Sequence, residues 1–97
     1  MIIVRKESNL WRINDILPKI SVCKIDLLDK SGVSHLVNEC KPQILYHLAT
    51  YGAYSRQNDA DKIINTNIHG TLNILDSVVG TDLELLVNVG SSSEYGL

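Results

Sequence analysis

Three consecutive serines, Ser91, Ser92 and Ser93, follow the apolar run at residues 85–89 in the stretch LLVNVGSSSEYG, and Glu94 and Tyr95 come directly after them. A strand buried on both faces reads as an unbroken series of Val, Leu and Ile, and open α/β sheets bind ligands beyond the carboxyl ends of such strands. Hydroxyls delivered there can donate to and accept from a substrate oxygen. Serine-rich turns are also ordinary soluble loops. The weight of the reading therefore rests on what lies upstream.

Asn67 is the second residue with chemical interest. It lies on a stripe otherwise made of Ile64, Ile68, Thr71 and Leu75, and an amide buried on such a stripe needs hydrogen-bond partners, from backbone or an ordered water in the plainest case. Gly70 costs about 1 kcal/mol of helix propensity against Ala, which points to close approach of another element. The remaining polar residues are scattered. Cys23 and Cys40 show neither CxxC spacing nor a paired His, and read as small buried hydrophobes; His35, His47 and His69 carry no metal-ligand spacing. No metal site is expected.

Composition narrows the class. The chain has 97 residues and a formal net charge of −2, enough for one small domain. Its charges are mixed along the sequence with no Lys/Arg stripe and interleaved aromatics, which argues against nucleic acid and anionic membrane as partners. No apolar run approaches the roughly 20 residues that span a bilayer, and the first residues lack a signal-peptide pattern. A cytoplasmic protein is the expectation.

The elements that must position these residues alternate. An apolar strand at residues 2–4 is followed by Arg5, Lys6, Glu7 and Ser8; Ser8 can cap a helix with Leu10, Ile13 and Leu17 at helical spacing, ended by Pro18. A second strand at 20–25 stops at Asp26. After Asp29 a helix carries Val33, Leu36, Val37 and Cys40 on one face, closed by Pro42. A third strand at 44–48 leads into a long polar loop with Tyr51, Tyr54, Ser55, Arg56 and Gln57, a candidate substrate-facing segment. From about 60 to 79 runs the strongest helix, with Ile64, Ile68, Leu72, Leu75 and Val79 on one side and Lys62, Asn65, His69, Asn73 and Asp76 on the other; Gly80 stops it. The fourth strand is 85–89.

Four strands alternating with helices predict a parallel sheet covered on both faces, and right-handed crossovers put every strand's carboxyl end on one edge. Arg5, Asp26, Ala49 and Ser92 all fall just past such ends. That edge is the expected ligand crevice.

Four segments in order, DLLD at 26–29, KPQILYHLAT at 41–50, NIHGTLNIL at 67–75 and VGSSSEYG at 89–96, resemble the extended short-chain dehydrogenases/reductases, the NAD(P)-dependent epimerases and dehydratases of nucleotide sugars. The resemblance covers nearly the whole chain. It implies a doubly wound Rossmann-type α/β fold with strand order 3-2-1-4-5. It implies that Asp26 hydrogen-bonds the adenine amino group with the Leu27 backbone beside it, and that Leu48, Ala49 and Thr50 line the ribose and nicotinamide side. Asn67 would anchor the local backbone. Ser92 matches the catalytic Ser/Thr, with Ser93 as the alternative, hydrogen-bonding the substrate hydroxyl as hydride leaves the attached carbon. Glu94 matches the acid of dehydratases, although the loop is one residue shorter than the usual spelling. A reductase of 4-keto-6-deoxy nucleotide sugars fits the shortened loop as well. Arg5 and Lys6 bear on the cofactor, NAD or NADP: an Arg after the second strand of a dinucleotide fold accommodates a 2′-phosphate.

Two family parts do not occur in the sequence: the GxxGxxG turn that seats pyrophosphate on a helix N-terminus, and a YxxxK pair, in which the family's Tyr is the base. The expectation is an internal piece, residues 1–97 forming a partial NAD(P)-binding domain whose first strand and C-terminal substrate part are missing. The missing strand would lie between the first and third strands seen here, leaving two half-sheets with unpaired apolar edges. Such a chain is expected to fold poorly, self-associate or need complementation, and the intact protein to be a homodimer acting on a nucleotide-sugar substrate. The competing expectations are an NADPH-dependent ketoreductase, a non-catalytic NAD(P)-binding regulator, and an inactive truncated product.

Overall fold

The computed structural model describes residues 1–96, with the backbone alone at Ser93. Four short strands form: β1 (Ile2–Val4), β2 (Val22–Lys24), β3 (Ile44–His47) and β4 (Leu85–Asn88). They pair in parallel as β1 with β2, register Ile3 to Cys23, and β3 with β4, register Leu45 to Leu86. Among the described residues these are two separate two-stranded sheets. The arrangement is a Rossmann-type α/β fold with its sheet incomplete, open between two parallel halves.

Helices join and cover the halves. Helix α1 (Lys30–Cys40) starts where the Asp29 carboxylate accepts from the Gly32 amide at 3.0 Å, satisfying one of the unpaired first-turn donors. A Cβ at residue 32 would fall on that carboxylate and on the end of the Ile25 side chain, so a larger residue there would make both side chains shift. The helix ends at Lys41, whose backbone is left-handed at φ 47°, immediately before Pro42. The second helical run is α2 (Ala60–Ile64), a π turn (Asn65–His69) and α3 (Gly70–Val78) without interruption, opened by Asp59 accepting from the Lys62 amide at 3.2 Å.

The core lies where α1 and α3 cross. Val33, Val37 and Ile74 are buried, and Ile25, Leu27, Leu45, Val78 and Leu86 pack around them. Ile25 and Leu27 follow β2, whereas Leu45 and Leu86 belong to β3 and β4. The helix pair is therefore what holds the two half-sheets in one body. Each such buried side chain contributes roughly 1.5–3 kcal/mol, and a core of three is small for a chain of this length.

Two expectations are corrected. The segment 8–18 forms no α-helix but two 3₁₀ turns, Trp11–Ile13 and Leu17–Lys19. Its turn is opened by Asn9, which accepts from the Trp11 amide at 3.1 Å, and not by Ser8. None of the residues in the two turns is buried and Trp11 is 67 % exposed, so the packing that stabilises most helices is missing, and Pro18 lacks the N–H a longer helix would need.

The long helix, second, faces the other way. Ile64, Ile68, Leu72, Leu75 and Val79 are exposed, Val79 by 79 %, while Gly70, Ile74 and Ser77 are buried. The helix is apolar on two sides, and periodicity cannot say which side meets the core. Small residues decide it: Gly70 and Ser77 let α1 and the segment after β2 come close, which a row of Ile and Leu would prevent. Among the described residues no helix is long and apolar enough to cross a membrane.

Candidate functional site

Beyond the carboxyl ends of β3 and β4 lies a crevice of about 490 Å³, walled by residues 47–53, Ile63, Asn67, Thr71 and residues 88–91. Among the described residues its wall carries amides, hydroxyls and one imidazole, with no carboxylate, lysine or arginine. Such a surface suits a neutral ligand rich in hydroxyls or a flat heteroaromatic ring.

Asn67 organises one wall. Its Oδ1 accepts from the Tyr51 amide at 2.9 Å and its Nδ2 donates to the Tyr51 carbonyl at 2.7 Å, so one side chain satisfies both backbone groups of one loop residue. Thr50 Oγ1 donates to the same Oδ1 at 3.4 Å. The π turn makes room for this: the Gly70 amide reaches back five residues to the Asn65 carbonyl, which widens the helix where Asn67 projects. Gln57 braces the loop from its other end, its Oε1 accepting from the Gly52 and Tyr54 amides at 3.2 and 3.3 Å. Gly52 sits at φ 101°, in left-handed backbone that favours glycine.

His47, at the end of β3, is 6 % exposed. Its Nε2 lies 2.8 Å from Thr71 Oγ1, and that hydroxyl spends its proton on the Asn67 carbonyl, also at 2.8 Å. The hydroxyl can only accept from the ring, so Nε2 carries the hydrogen. Burial holds the pKa of His47 below the ordinary 6.5, and the neutral form is the native one at neutral pH.

A second, charged cleft of about 190 Å³ opens beyond β1 and β2, lined by Arg5, Lys6, Glu7 and Asp26. Arg5 lies 3.6 Å from Glu7, both exposed. Asp26 Oδ1 accepts from the Leu28 amide at 2.9 Å, fixing its carboxylate in a local turn. Leu27 is bound to the long helix. A Cβ at Gly70 would stand 3.3 Å from Leu27 Cβ, and Asn73 Nδ2 donates to the Leu27 carbonyl at 2.8 Å. Asn67 and Asn73 are less than two helical turns apart, so the segments following β2 and β3 are tied to one short stretch of helix.

Each residue expected from sequence except Ser93 has a definite place. Leu48, Ala49, Thr50 and Asn67 line the uncharged crevice; Arg5, Lys6 and Asp26 line the charged cleft. Leu27 contributes packing and a carbonyl. At the serine run, Ser91 lines the crevice, while Ser92 is exposed on the 3₁₀ turn Ser92–Tyr95 that begins there. The Ser93 side chain lies outside the described residues. Glu94 folds back along Gly90: its carboxylate oxygens stand 3.5 and 3.7 Å from where a Cβ on Gly90 would be. Sequence reasoning gave no site role to His47, Thr71 or Asn73, and named Gln57 only as a member of the candidate substrate-facing loop. The first two had a usable signal, a polar residue ending an apolar strand and a hydroxyl four residues after Asn67. Asn73 looked like a solvent-facing residue on spacing alone.

The family model of the NAD dependent epimerase/dehydratase family matches residues 2–97. The chain belongs to that family. Epimerase/dehydratase proteins are NAD(P)-dependent in general, and the two clefts fit such a cofactor by the chemistry of their walls. Charged residues and Asp26 could hold the adenosine end, and the uncharged crevice beside Asn67 the nicotinamide end.

Proposed function

We propose that residues 1–97 are the NAD(P)-binding part of an epimerase/dehydratase that acts on a nucleotide sugar by hydride transfer at a sugar carbon. The observation that carries this reading is the tethering of both clefts to one short stretch of helix, Tyr51 through Asn67 and Leu27 through Asn73. Bound nicotinamide supplies the hydride acceptor and donor. The chain's residues orient and exchange protons. Asp26 accepts from the adenine amino group, Leu48, Ala49 and Thr50 bound the nicotinamide side, and Asn67 keeps that wall in place. Ser92, with Ser91 beside it on the wall and Ser93 as the alternative, hydrogen-bonds the sugar hydroxyl whose carbon is oxidised. Glu94 protonates a leaving hydroxyl, as the acid of dehydratases at this point of the loop does; its carboxylate stands near Gly90 of the wall without itself lining the crevice. Arg5 and Lys6 favour the 2′-phosphate of NADP.

The test is hydride transfer from a nucleotide sugar deuterated at the reacting carbon, in the protein encoded by the complete reading frame. Deuterium recovered on the nicotinamide supports the reading. Tight NAD(P) binding with no transfer from any nucleotide sugar replaces it with a non-catalytic binding role. Deuterium passing only from labelled NADPH into a 4-keto sugar makes the protein a ketoreductase. A homodimer and a cytoplasmic setting belong to the same proposal, supported by the exposed apolar stripe of α3 and by the unpaired Cys23 and Cys40.

A further inference from the structure

Asn73 enters the reading above only as the tether of Leu27 and is given no role towards the ligand, yet it is the residue that joins the charged cleft to the helix behind the uncharged one. Its Nδ2 reaches across 46 positions of sequence to the Leu27 carbonyl at 2.8 Å. That carbonyl and the Leu28 amide belong to a single peptide plane, and the Leu28 amide donates to Asp26 Oδ1 at 2.9 Å. The plane is held at its oxygen by Asn73 and at its N–H by Asp26. A donor on the oxygen polarises the peptide and strengthens the bond its N–H makes, so the grip of Asn73 is passed to the carboxylate. Gly70, which brings the helix within contact distance of Leu27, sets how near Asn73 can come.

We propose that Asn73 is a positioning residue for Asp26: it acts through the Leu27–Leu28 peptide to aim the carboxylate into the charged cleft. It thereby sets the spacing between the two ends of the ligand site. The ligand part of this inference rests on the proposed NAD(P)-binding role. The peptide clamp itself does not.

The experiment uses the protein encoded by the complete reading frame and measures amide exchange by NMR at Leu28 and at Val37 in the core, for the unaltered chain, Asn73→Leu and Asn73→Asp. Losing one hydrogen bond on this plane should speed Leu28 exchange about tenfold with Val37 unchanged, in both variants. Asn73→Asp keeps the size of the side chain and serves if Asn73→Leu fails to fold. Unchanged Leu28 exchange, or Leu28 and Val37 rising in step, overturns the proposal, since a merely structural role moves both. AMP and nicotinamide mononucleotide then probe the two clefts separately. AMP affinity should fall about tenfold in both variants while nicotinamide mononucleotide affinity holds. Equal AMP affinity overturns the positioning role. If the unaltered chain binds neither nucleotide, the NAD(P)-binding reading fails, and the exchange ratio still decides whether Asn73 holds Asp26.

Discussion

The two half-sheets have the same two parallel strands and very different surroundings. Between β1 and β2 the chain makes 3₁₀ turns with no residue buried in them, and its cleft is bounded by exposed charges. Between β3 and β4 it makes a braced loop and a long helix, and its crevice is backed by the half-buried group of His47, Thr71, Asn67 and Tyr51. The comparison shows two ways of shaping a ligand surface. One half carries its own polar framework; the other borrows rigidity from α3 through Leu27. A polar network inside protein is strong when every member is satisfied and costly when one is removed. The two halves should therefore break differently.

Asn67→Leu should have the largest effect, because it strands both backbone groups of Tyr51. We expect a loss of about 2–4 kcal/mol, read by chemical denaturation, and exchange at the Tyr51 amide faster by more than the global loss accounts for. A loss no larger than that of an average surface change would erase the contrast between the halves. Gly70→Val should come next, at about 1–3 kcal/mol, since its Cβ region already meets Leu27. Here the changes in amide chemical shift should concentrate around residues 26–28 and spare residues 48–54; the reverse pattern would mean that the first half does not lean on the helix.

The pH response sharpens the comparison further. Burial favours neutral His47, so the unfolded chain takes up a proton more readily than the folded one. The stability this contributes is complete above pH 6.5 and is lost as pH falls through the depressed folded value. Thermal midpoints of the native chain should fall on acidification through that window, and His47→Gln should remove that part of the fall. The smallest effect is expected from Lys30→Ala. It breaks the 2.6 Å pair with Asp76 between α1 and α3, but both groups are mostly exposed, so the denaturation midpoint should shift by no more than about 0.5 kcal/mol equivalent.

Much of this was legible from residue order. Apolar runs ended by Asp26, Leu48 and Gly90 marked the strands, Asp29 marked a helix start, and the alternation gave the parallel α/β class. The split into two half-sheets followed from the strand order that the family resemblance implies, with the strand between them missing. Two things were not legible. The inward face of the long helix is lined by Gly70, Thr71, Ile74 and Ser77, and nothing in a 3.6-residue period favours such a row over Ile64, Ile68, Leu72 and Leu75. The exit from β4 was ambiguous for another reason: counting along the serines cannot tell where a 3₁₀ turn begins, and a displacement of one position decides whether Ser91 or Ser92 faces the crevice.

The π turn at Asn65–His69 has a consequence for how this sequence can change over time. It holds one residue more than an α-helix of the same span would, so a single deletion there would restore unbroken backbone pairing from Ala60 to Val78. The shortened helix would be the more regular of the two, and Asn67, or whatever took its position, would be turned away from Tyr51. Selection for helical regularity and selection for a working crevice pull in opposite directions at that one spot.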